Sequence, residues 1–356
     1  MKSNKTVLWG CLIFVVAFIA TFILGFIVTF GVNGTKVAKI PSDAWLYVNP
    51  NAALADYNEM EELRFVNVSA PGVQEICDKI KAAATDDRIK GMLIEPRMVV
   101  TNYPSLAEMS LAIKTFQKSG KPVIAFGDNF TQGDYLLASC AAKIYMEPSA
   151  SAGIALQGVS ANMLFYKEML DKLGIKMHIL QSGAYKGAGE PYSQTELSKG
   201  TRENIAAALQ DIYNQVLAIV AQNRKLDTAK VKAIFEMRED FILGAEKAKE
   251  LQLIDYAMGR DEMLSNLGLE EDKLVKIANY LPSASKHKGD KIAVVYLNGN
   301  IAPVSGLDFS NQSVISEAKV KKIVKQIRQH KEIKAVVLRI NSPGGSALES
   351  ELIYQQ

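Results

Sequence analysis

From residue 40 onward, short apolar runs alternate with longer stretches in which apolar residues recur every three or four positions. Ile89–Ile94 and residues 122–126 are short apolar runs, which is typical of buried strands. Residues 73–84 and 105–118 carry apolar side chains at helical spacing, so helices are predicted there. Because strands and helices alternate, the pattern predicts an α/β fold with a parallel sheet and crossover helices.

The same criteria extend the prediction along the chain. Strands are predicted at Ala44–Val48, Lys143–Met146 and 176–180, a strand end at 241–244, and helices at 200–222, from there to about 237, and at 245–251. Residues 40–281 are therefore expected to form a first domain.

After a polar segment at 282–290, interpreted as a linker, the pattern begins again. Residues 292–298 resemble the first strand, and a helix at 322–328 followed by a strand at 333–338 repeats the earlier order. We expect an internal repeat whose second copy, 291–356, is incomplete, because it stops inside a predicted helix at 347–356. The chain is interpreted as part of a protein with two homologous halves.

Residues 7–30 contain no charged side chain. As a helix they would be about 36 Å long, more than the ~30 Å hydrocarbon core of a bilayer. The run is longer than the apolar core of a signal peptide, and no small-x-small cleavage pattern follows it. We predict an uncleaved transmembrane anchor at 7–30, with residues 1–6 as a cytoplasmic tail and the body translocated.

Composition narrows the classes of function. Charged residues make up 22% of the chain and apolar residues 48%, which excludes a disordered chain. The net charge of +3 gives no electrostatic case for nucleic acid as a partner. Three cysteines and three histidines offer neither a disulfide framework nor a zinc-type spacing, so no metal and no cofactor are expected.

The strongest local signal is Asn-Ser-Pro-Gly-Gly-Ser at 341–346, between a predicted strand and a predicted helix. Such a turn at Gly344 and Gly345 can point backbone N–H groups at a developing negative charge. It is not a P-loop, because no GxxxxGK[ST] is present. An ordinary glycine-rich turn is the alternative that spacing leaves open.

A second signal is Lys186, which lies among small residues at 181–191 after the predicted strand at 176–180. A lysine in a glycine-rich loop is usually solvated or binds phosphate. Desolvation by small apolar neighbours would instead favour the uncharged amine and make it a general base toward a serine. His178 lies in an apolar run and is interpreted as a core or strand-edge histidine rather than a base. No Ser-His-Asp arrangement and no GxSxG is visible.

Taken together, the predicted anchor and three motifs resemble the signal peptide peptidase A (protease IV) family in its long two-domain form. The motifs are GDNFTQGDYLLAS at 127–139, YKGAGEP at 185–191 and NSPGGS at 341–346. The resemblance implies a crotonase/Clp-protease-like fold in both halves. It also implies a serine–lysine dyad endopeptidase of the bacterial inner membrane that degrades cleaved signal peptides and other apolar peptides on the extracytoplasmic side. A homotetramer closed against the lipid bilayer is implied as well.

Carried over by residue, the resemblance makes Lys186 the general base and places Gly344 and Gly345 in the substrate and oxyanion region. It places the nucleophilic serine beyond residue 356. The corresponding position in the first half is Gln132, which has no nucleophilic group, and residues 95–97 stand where the Gly-Gly turn would be.

This 356-residue chain is therefore predicted to be inactive alone. The alternatives are a non-catalytic membrane-anchored scaffold of the same fold and an acyl-CoA enzyme of the crotonase type.

Overall fold

The computed structural model describes residue 21 and residues 40–56, 72–237, 241–282, 289–304 and 314–356. The chain divides into two compact units, Met1–Pro282 and Ser283–Gln356. The predicted tail at 1–6, the predicted anchor at 7–30 apart from Thr21, and most of the predicted linker lie outside the described residues. Among the helices that the structure does describe, none has both the length and the apolar character needed to cross a membrane.

The first unit is built around a parallel sheet with helices in the crossovers. Its strands are β1 (Ala44–Val48), β2 (Asn51–Ala53), β3 (Ile89–Ile94), β4 (Arg97–Val100), β5 (Val123–Gly127), β6 (Asn129–Phe130), β7 (Lys143–Met146), β8 (Gly153–Ile154), β9 (Tyr256–Ala257) and β10 (Leu274–Lys276). Its helices are α1 (Val73–Ala84), α2 (Tyr103–Gln117), α3 (Gln132–Ala138), α4 (Lys167–Lys172), α5 (Glu190–Ser193), α6 (Lys199–Arg224), α7 (Thr228–Phe235), α8 (Ala245–Glu250) and α9 (Arg260–Leu267). Six of the strands form one sheet in the order β10-β1-β3-β5-β7-β9, and every neighbouring pair is parallel.

Both faces of this sheet are covered, which explains why its strands read as continuous apolar runs rather than alternating ones. Successive residues of β5 point to opposite faces: Val123 and Ala125 belong to the larger apolar cluster, which also takes in residues of α1 and α2. Ile124 and Phe126 belong to a smaller cluster, where they join Met263 of α9. The core therefore lies on both sides of the central strands.

Most of the predicted elements of the first unit are confirmed. The predicted bounds of β1, α1, β3 and β7 agree with the structure, and α2, β5, α6 and α8 differ from prediction by one or two residues at an end. The predicted strand at 176–180 is wrong: this segment is irregular and largely exposed, with Leu180 99% exposed. The segment has apolar side chains, but none of the described strands pairs with it, and pairing decides whether a short strand forms. The predicted strand end at 241–244 is reduced to one antiparallel bridge between Leu243 and Ile154.

The second unit contains a smaller strand and helix set. Its strands are β11 (Lys291–Asn298), β12 (Asn300–Ile301), β13 (Val314–Ile315) and β14 (Ile333–Asn341), and its helices are α10 (Glu317–Gln329) and α11 (Ala347–Tyr354). β11 pairs with β14 in parallel, with α10 between them in the chain, as α1 lies between β1 and β3. The apolar cluster that the structure describes in this unit takes its buried residues from β11, β13 and α10.

Candidate functional site

Lys186 lies in the first unit, in the loop between α4 and α5, and Glu190 is the first residue of α5. The loop makes a tight turn just before the lysine, where the Lys186 N–H donates to the Gly183 carbonyl at 3.3 Å. Gly183 has a φ of +99°, a conformation that residues with a Cβ rarely adopt. A second turn follows, in which the Glu190 N–H donates to the Gly187 carbonyl at 3.1 Å. The backbone on both sides of Lys186 is therefore defined by hydrogen bonds.

A buried carboxylate connects this loop to the beginning of α6. Glu190 is 1% exposed. Its Oε1 accepts hydrogen bonds from the hydroxyls of Ser198 at 2.5 Å and Thr201 at 2.8 Å, and its Oε2 accepts from the Ser198 N–H at 3.0 Å. The Ser198 side-chain and backbone hydrogen bonds and the Thr201 hydrogen bond hold the pKa of Glu190 below its usual value, against the effect of burial. The carboxylate is therefore charged at neutral pH.

Two glycines let the loop and the first turn of α6 lie in direct contact. A Cβ added to Gly187 would overlap the Thr201 side chain, and a Cβ added to Gly200 would overlap the Ala184 carbonyl oxygen. Neither overlap could be relieved by rotation of a flexible side chain, because the overlapping atoms belong to the Ala184 backbone and to the β-branched side chain of Thr201. The glycine-rich sequence around Lys186 thus allows close packing of the loop.

The side chain of Lys186 itself is exposed. The small residues around Lys186 do not cover its side chain, since Ala184 and Gly187 contact the first turn of α6, and desolvation of the amine by these neighbours is not observed in the described structure. His178 is exposed as well, so its interpretation as a core or strand-edge histidine is wrong. The reason is the same as for the missing strand at 176–180, since this segment lies outside the sheet and its core.

Gln132, at the position where the resemblance expects a serine in a complete site, is 9% exposed and fully engaged. Its Oε1 accepts hydrogen bonds from the N–H groups of Gln157 at 3.1 Å and Gly158 at 2.9 Å. Its Nε2 donates to the Tyr103 hydroxyl at 2.8 Å and the Gly158 carbonyl at 2.9 Å. Thr131 caps the helix that Gln132 begins, α3. The amide thus joins three segments of the first unit, which is a structural role.

The end of β3 likewise carries a charged cluster in place of a glycine turn. Glu95 is 2% exposed; it accepts hydrogen bonds from the Tyr47 hydroxyl at 2.5 Å and from Arg260 Nε at 2.5 Å. Burial, followed by the hydrogen bond to Glu95, raises the pKa of Tyr47. A buried carboxylate paired with an arginine and a tyrosine offers no free donor for a developing negative charge.

Gly344 and Gly345 lie in the second unit, between β14 and α11, so the predicted order of strand, glycine turn and helix is confirmed. Their φ values are +108° and +154°, and a Cβ on Gly345 would overlap the Ile301 backbone. The Gly344 N–H donates to Ser342 Oγ at 3.1 Å, and the Gly344 carbonyl accepts from the Ile301 N–H at 2.9 Å. The turn is thus compatible only with glycine, and one of its two N–H groups has an internal partner.

The sequence-predicted residues therefore fall in separate units: Lys186 in the first, Gly344 and Gly345 in the second. Glu190 was missed by sequence reasoning. The signal that could have found it is an acidic residue inside a loop of small residues, followed by Ser198 as a helix cap. Within the described ranges, no group of three or more His, Cys, Asp or Glu side chains is placed to hold a metal ion.

Comparisons with known proteins place these observations in context. Residues 115–274 match the model described as peptidase family S49. The chain is 31% identical over 358 residues to Protease 4 of Haemophilus influenzae, covering 93% of this chain and 57% of that protein. It is 28% identical over 305 residues to Serine protease SPPA, chloroplastic, of Arabidopsis thaliana, covering 81% of this chain and 44% of that protein. The chain thus spans about half the length of the curated relatives it matches.

A solved structure titled an enoyl-CoA hydratase/carnithine racemase, from Magnetospirillum magneticum, is also similar. It aligns with a TM-score of 0.31 and 12% identity, covering 62% of this chain and 68% of that chain. The parallel α/β sheet is observed directly, and the crotonase-like assignment stays a prediction.

Proposed function

We propose that the chain, whose residues 115–274 match the model of peptidase family S49, is part of a serine endopeptidase in which Lys186 is the general base. The observation that carries the proposal is the Lys186 loop. Its backbone is held by turns on both sides and by contact with α6, while the amine projects outward. A general base must be presented at a defined position to a separate reacting group, and this arrangement meets that requirement.

The nucleophile is proposed to be a serine beyond residue 356, as the sequence resemblance implies. Gln132 supports a nucleophile outside the first unit, because its amide cannot attack a peptide carbonyl. The four hydrogen bonds of this amide join three segments, which a replacement would disturb. Lys186 is exposed in the described structure, whereas a general base acts as the uncharged amine. The proposal therefore includes desolvation of Lys186 when the serine-bearing part packs over its loop.

In the proposed reaction, the serine hydroxyl gives its proton to the Lys186 amine and its oxygen attacks the scissile carbonyl. The resulting ammonium then protonates the leaving amine. Gly344 and Gly345 are proposed to lie in the substrate and oxyanion region. Apolar peptides, including cleaved signal peptides, are the proposed substrates; a bacterial inner membrane location, an anchor at 7–30, an extracytoplasmic body and a homotetramer are proposed on the resemblance.

The test uses the full-length protein, a fluorogenic apolar peptide and a fluorophosphonate that labels active serines. Lys186→Ala is expected to lower kcat by a factor of roughly 100 or more and to abolish labelling. Lys176→Ala is the matched control, since Lys176 is an exposed lysine in the same segment. Unchanged turnover in Lys186→Ala would refute the assignment, and absence of labelling in the wild-type protein would favour the non-catalytic scaffold.

A further inference from the structure

The loop that carries Lys186 is tied to α6 by one buried carboxylate, and we propose that Glu190 is a positioning residue for the Lys186 amine. This inference rests on the proposed function, in which Lys186 is the general base. Glu190 does not need to touch substrate to act in this way. It would act by holding the backbone from which the lysine side chain extends.

The hydrogen bonds from Ser198 and Thr201 to Glu190 form a tether between the loop and α6. Such a tether is needed because the lysine side chain is flexible. Its amine sits at the end of a flexible four-carbon stem, and the exposed Lys186 side chain is not confined by burial. A general base must nevertheless lie within hydrogen-bond reach of the proton it accepts. The position of the backbone is therefore the main restraint that the first unit can supply.

Glu190 is suited to this restraint because both of its oxygens are used. Oε1 accepts from two hydroxyls, those of Ser198 and Thr201, and Oε2 accepts from the Ser198 N–H. Three donors from one helix turn fix both the position and the orientation of the carboxylate. The charge also lies at the N-terminal end of α6, a helix of 26 residues, where a negative charge is favoured.

The tether acts close to the lysine on the chain. Gly187, the next residue, packs against the Thr201 side chain that also donates to Glu190. The loop thus meets the first turn of α6 at three points: Ala184 against Gly200, Gly187 against Thr201, and Glu190 at its hydrogen bonds. Movement of any of these points would shift the backbone of Lys186.

The hydrogen bonds of Glu190 are not explained by capping of α6 alone. Ser198 already serves as the N-cap, with its side chain accepting a hydrogen bond from the Thr201 N–H at 3.3 Å. Glu190 lies eight residues before Ser198, so its bonds add a connection to the loop rather than the first cap of the helix. A purely structural role and a positioning role therefore predict different results.

The experiment compares Glu190→Gln with the wild type in the full-length protein. An amide keeps the shape of the side chain but turns an NH₂ group toward a hydrogen-bond donor of Ser198 or Thr201, which breaks part of the tether. We expect kcat for the peptide substrate to fall roughly 10- to 100-fold with KM changed by less than about two-fold. Hydrogen exchange of the amides at 183–189 should become faster, while the central turns of α6 exchange as before.

Asp86→Asn is the matched control. Asp86 is a carboxylate of the same unit that accepts hydrogen bonds from Arg88 and from the Tyr280 hydroxyl. Its loss should destabilise the unit without changing kcat or the exchange rate of 183–189. A fall in kcat of equal size in Asp86→Asn would show that general destabilisation explains the effect, and would overturn the inference.

A second variant tests the contact from the other side. Gly187→Ala should lower kcat because its methyl group overlaps the Thr201 side chain. Gly244→Ala is the matched control, because a Cβ added to Gly244 meets nothing within 4 Å, and it should leave kcat unchanged. A kcat for Gly187→Ala within about two-fold of the wild type would count against the contact.

Failure of this inference is distinguishable from failure of the proposed function. Normal turnover in Lys186→Ala overturns the proposed function and this inference with it. An inactive Lys186→Ala combined with normal kcat in Glu190→Gln overturns this inference alone.

Discussion

Replacing Gln132 with methionine should destabilise the first unit without changing its shape. Methionine has a similar length and volume but can make none of the hydrogen bonds that the amide makes. The variant would leave the N–H groups of Gln157 and Gly158, the Gly158 carbonyl and the Tyr103 hydroxyl without this partner. The prediction isolates the role of the amide from the role of the side-chain volume.

The magnitude follows from the number and surroundings of the bonds. A neutral hydrogen bond contributes about 0.5–1.5 kcal/mol net, and four of them would give up to about 6 kcal/mol. All four bonds of Gln132 are only partly buried, so water can replace some of the lost partners. We therefore expect the free energy of unfolding to fall by about 2–4 kcal/mol, which corresponds to a lowering of Tm by roughly 4–12 °C.

Urea unfolding followed by tryptophan fluorescence is a suitable assay. The two tryptophans are Trp9 and Trp45, so the signal comes from the part of the chain before the boundary between the units, and Trp45 lies in β1. Gln74→Met is the matched control: among the described residues its exposed side-chain amide donates only to Asp78, one turn along α1, and its replacement should cost less than about 0.5 kcal/mol. If Gln132→Met unfolds within about 0.5 kcal/mol of the wild type, the structural role assigned to this amide is wrong.

Three further predictions concern the stability of the first unit, each measured by the same urea assay. Lys79→Met should cost about 1–3 kcal/mol, because the buried Lys79 ammonium donates to two backbone carbonyls that would lose their partner; a cost below about 0.5 kcal/mol would contradict it. The side-chain hydrogen bond from Arg88, with further backbone and tyrosine hydrogen bonds, lowers the pKa of Asp86 to about 2. Because this folded-state pKa lies below the unfolded value, the stabilisation is present above about pH 4 and lost as the pH falls toward 2. Allowing for solvent screening it amounts to about 1 kcal/mol, and Asp86→Asn should remove that pH dependence, whereas an unchanged acid profile would refute the assignment. Tyr135→Phe should cost about 1–2 kcal/mol, since the fully buried hydroxyl donates to the Leu253 carbonyl at 2.8 Å, and a variant as stable as the wild type would disprove this.

The central strands and the helices between them could be predicted from sequence, because the polarity and spacing of their own residues indicate each element without reference to its partners. β5 is buried at every position and β3 at every position except Lys90, so both favour apolar residues, and α1 has one apolar face at regular spacing. The two edge strands could not be predicted in this way. β9 has two residues and β10 has three, and each is defined by the neighbour with which it pairs, β7 and β1.

The candidate site likewise has features that the sequence could predict and features that it could not. Lys186 was identified from a motif, and the positive φ of Gly344 and Gly345 agrees with a glycine turn. The exposure of Lys186 and the bonds of Gln132 depend on contacts between segments that are distant in the chain. The Gln132 amide, for example, bonds Tyr103 and Gly158, which lie 29 and 26 residues away.

By itself the sequence determined the class of the fold, the alternation of strands and helices, and the position of a lysine in a loop of small residues. These features depend on the polarity, size and local spacing of side chains. Only the tertiary structure decided that 176–180 is not a strand, that Gln132 joins three segments, and that Glu190 ties the Lys186 loop to α6. These depend on which partners meet in space, because a hydrogen bond or a strand pairing is a property of two groups and not of one.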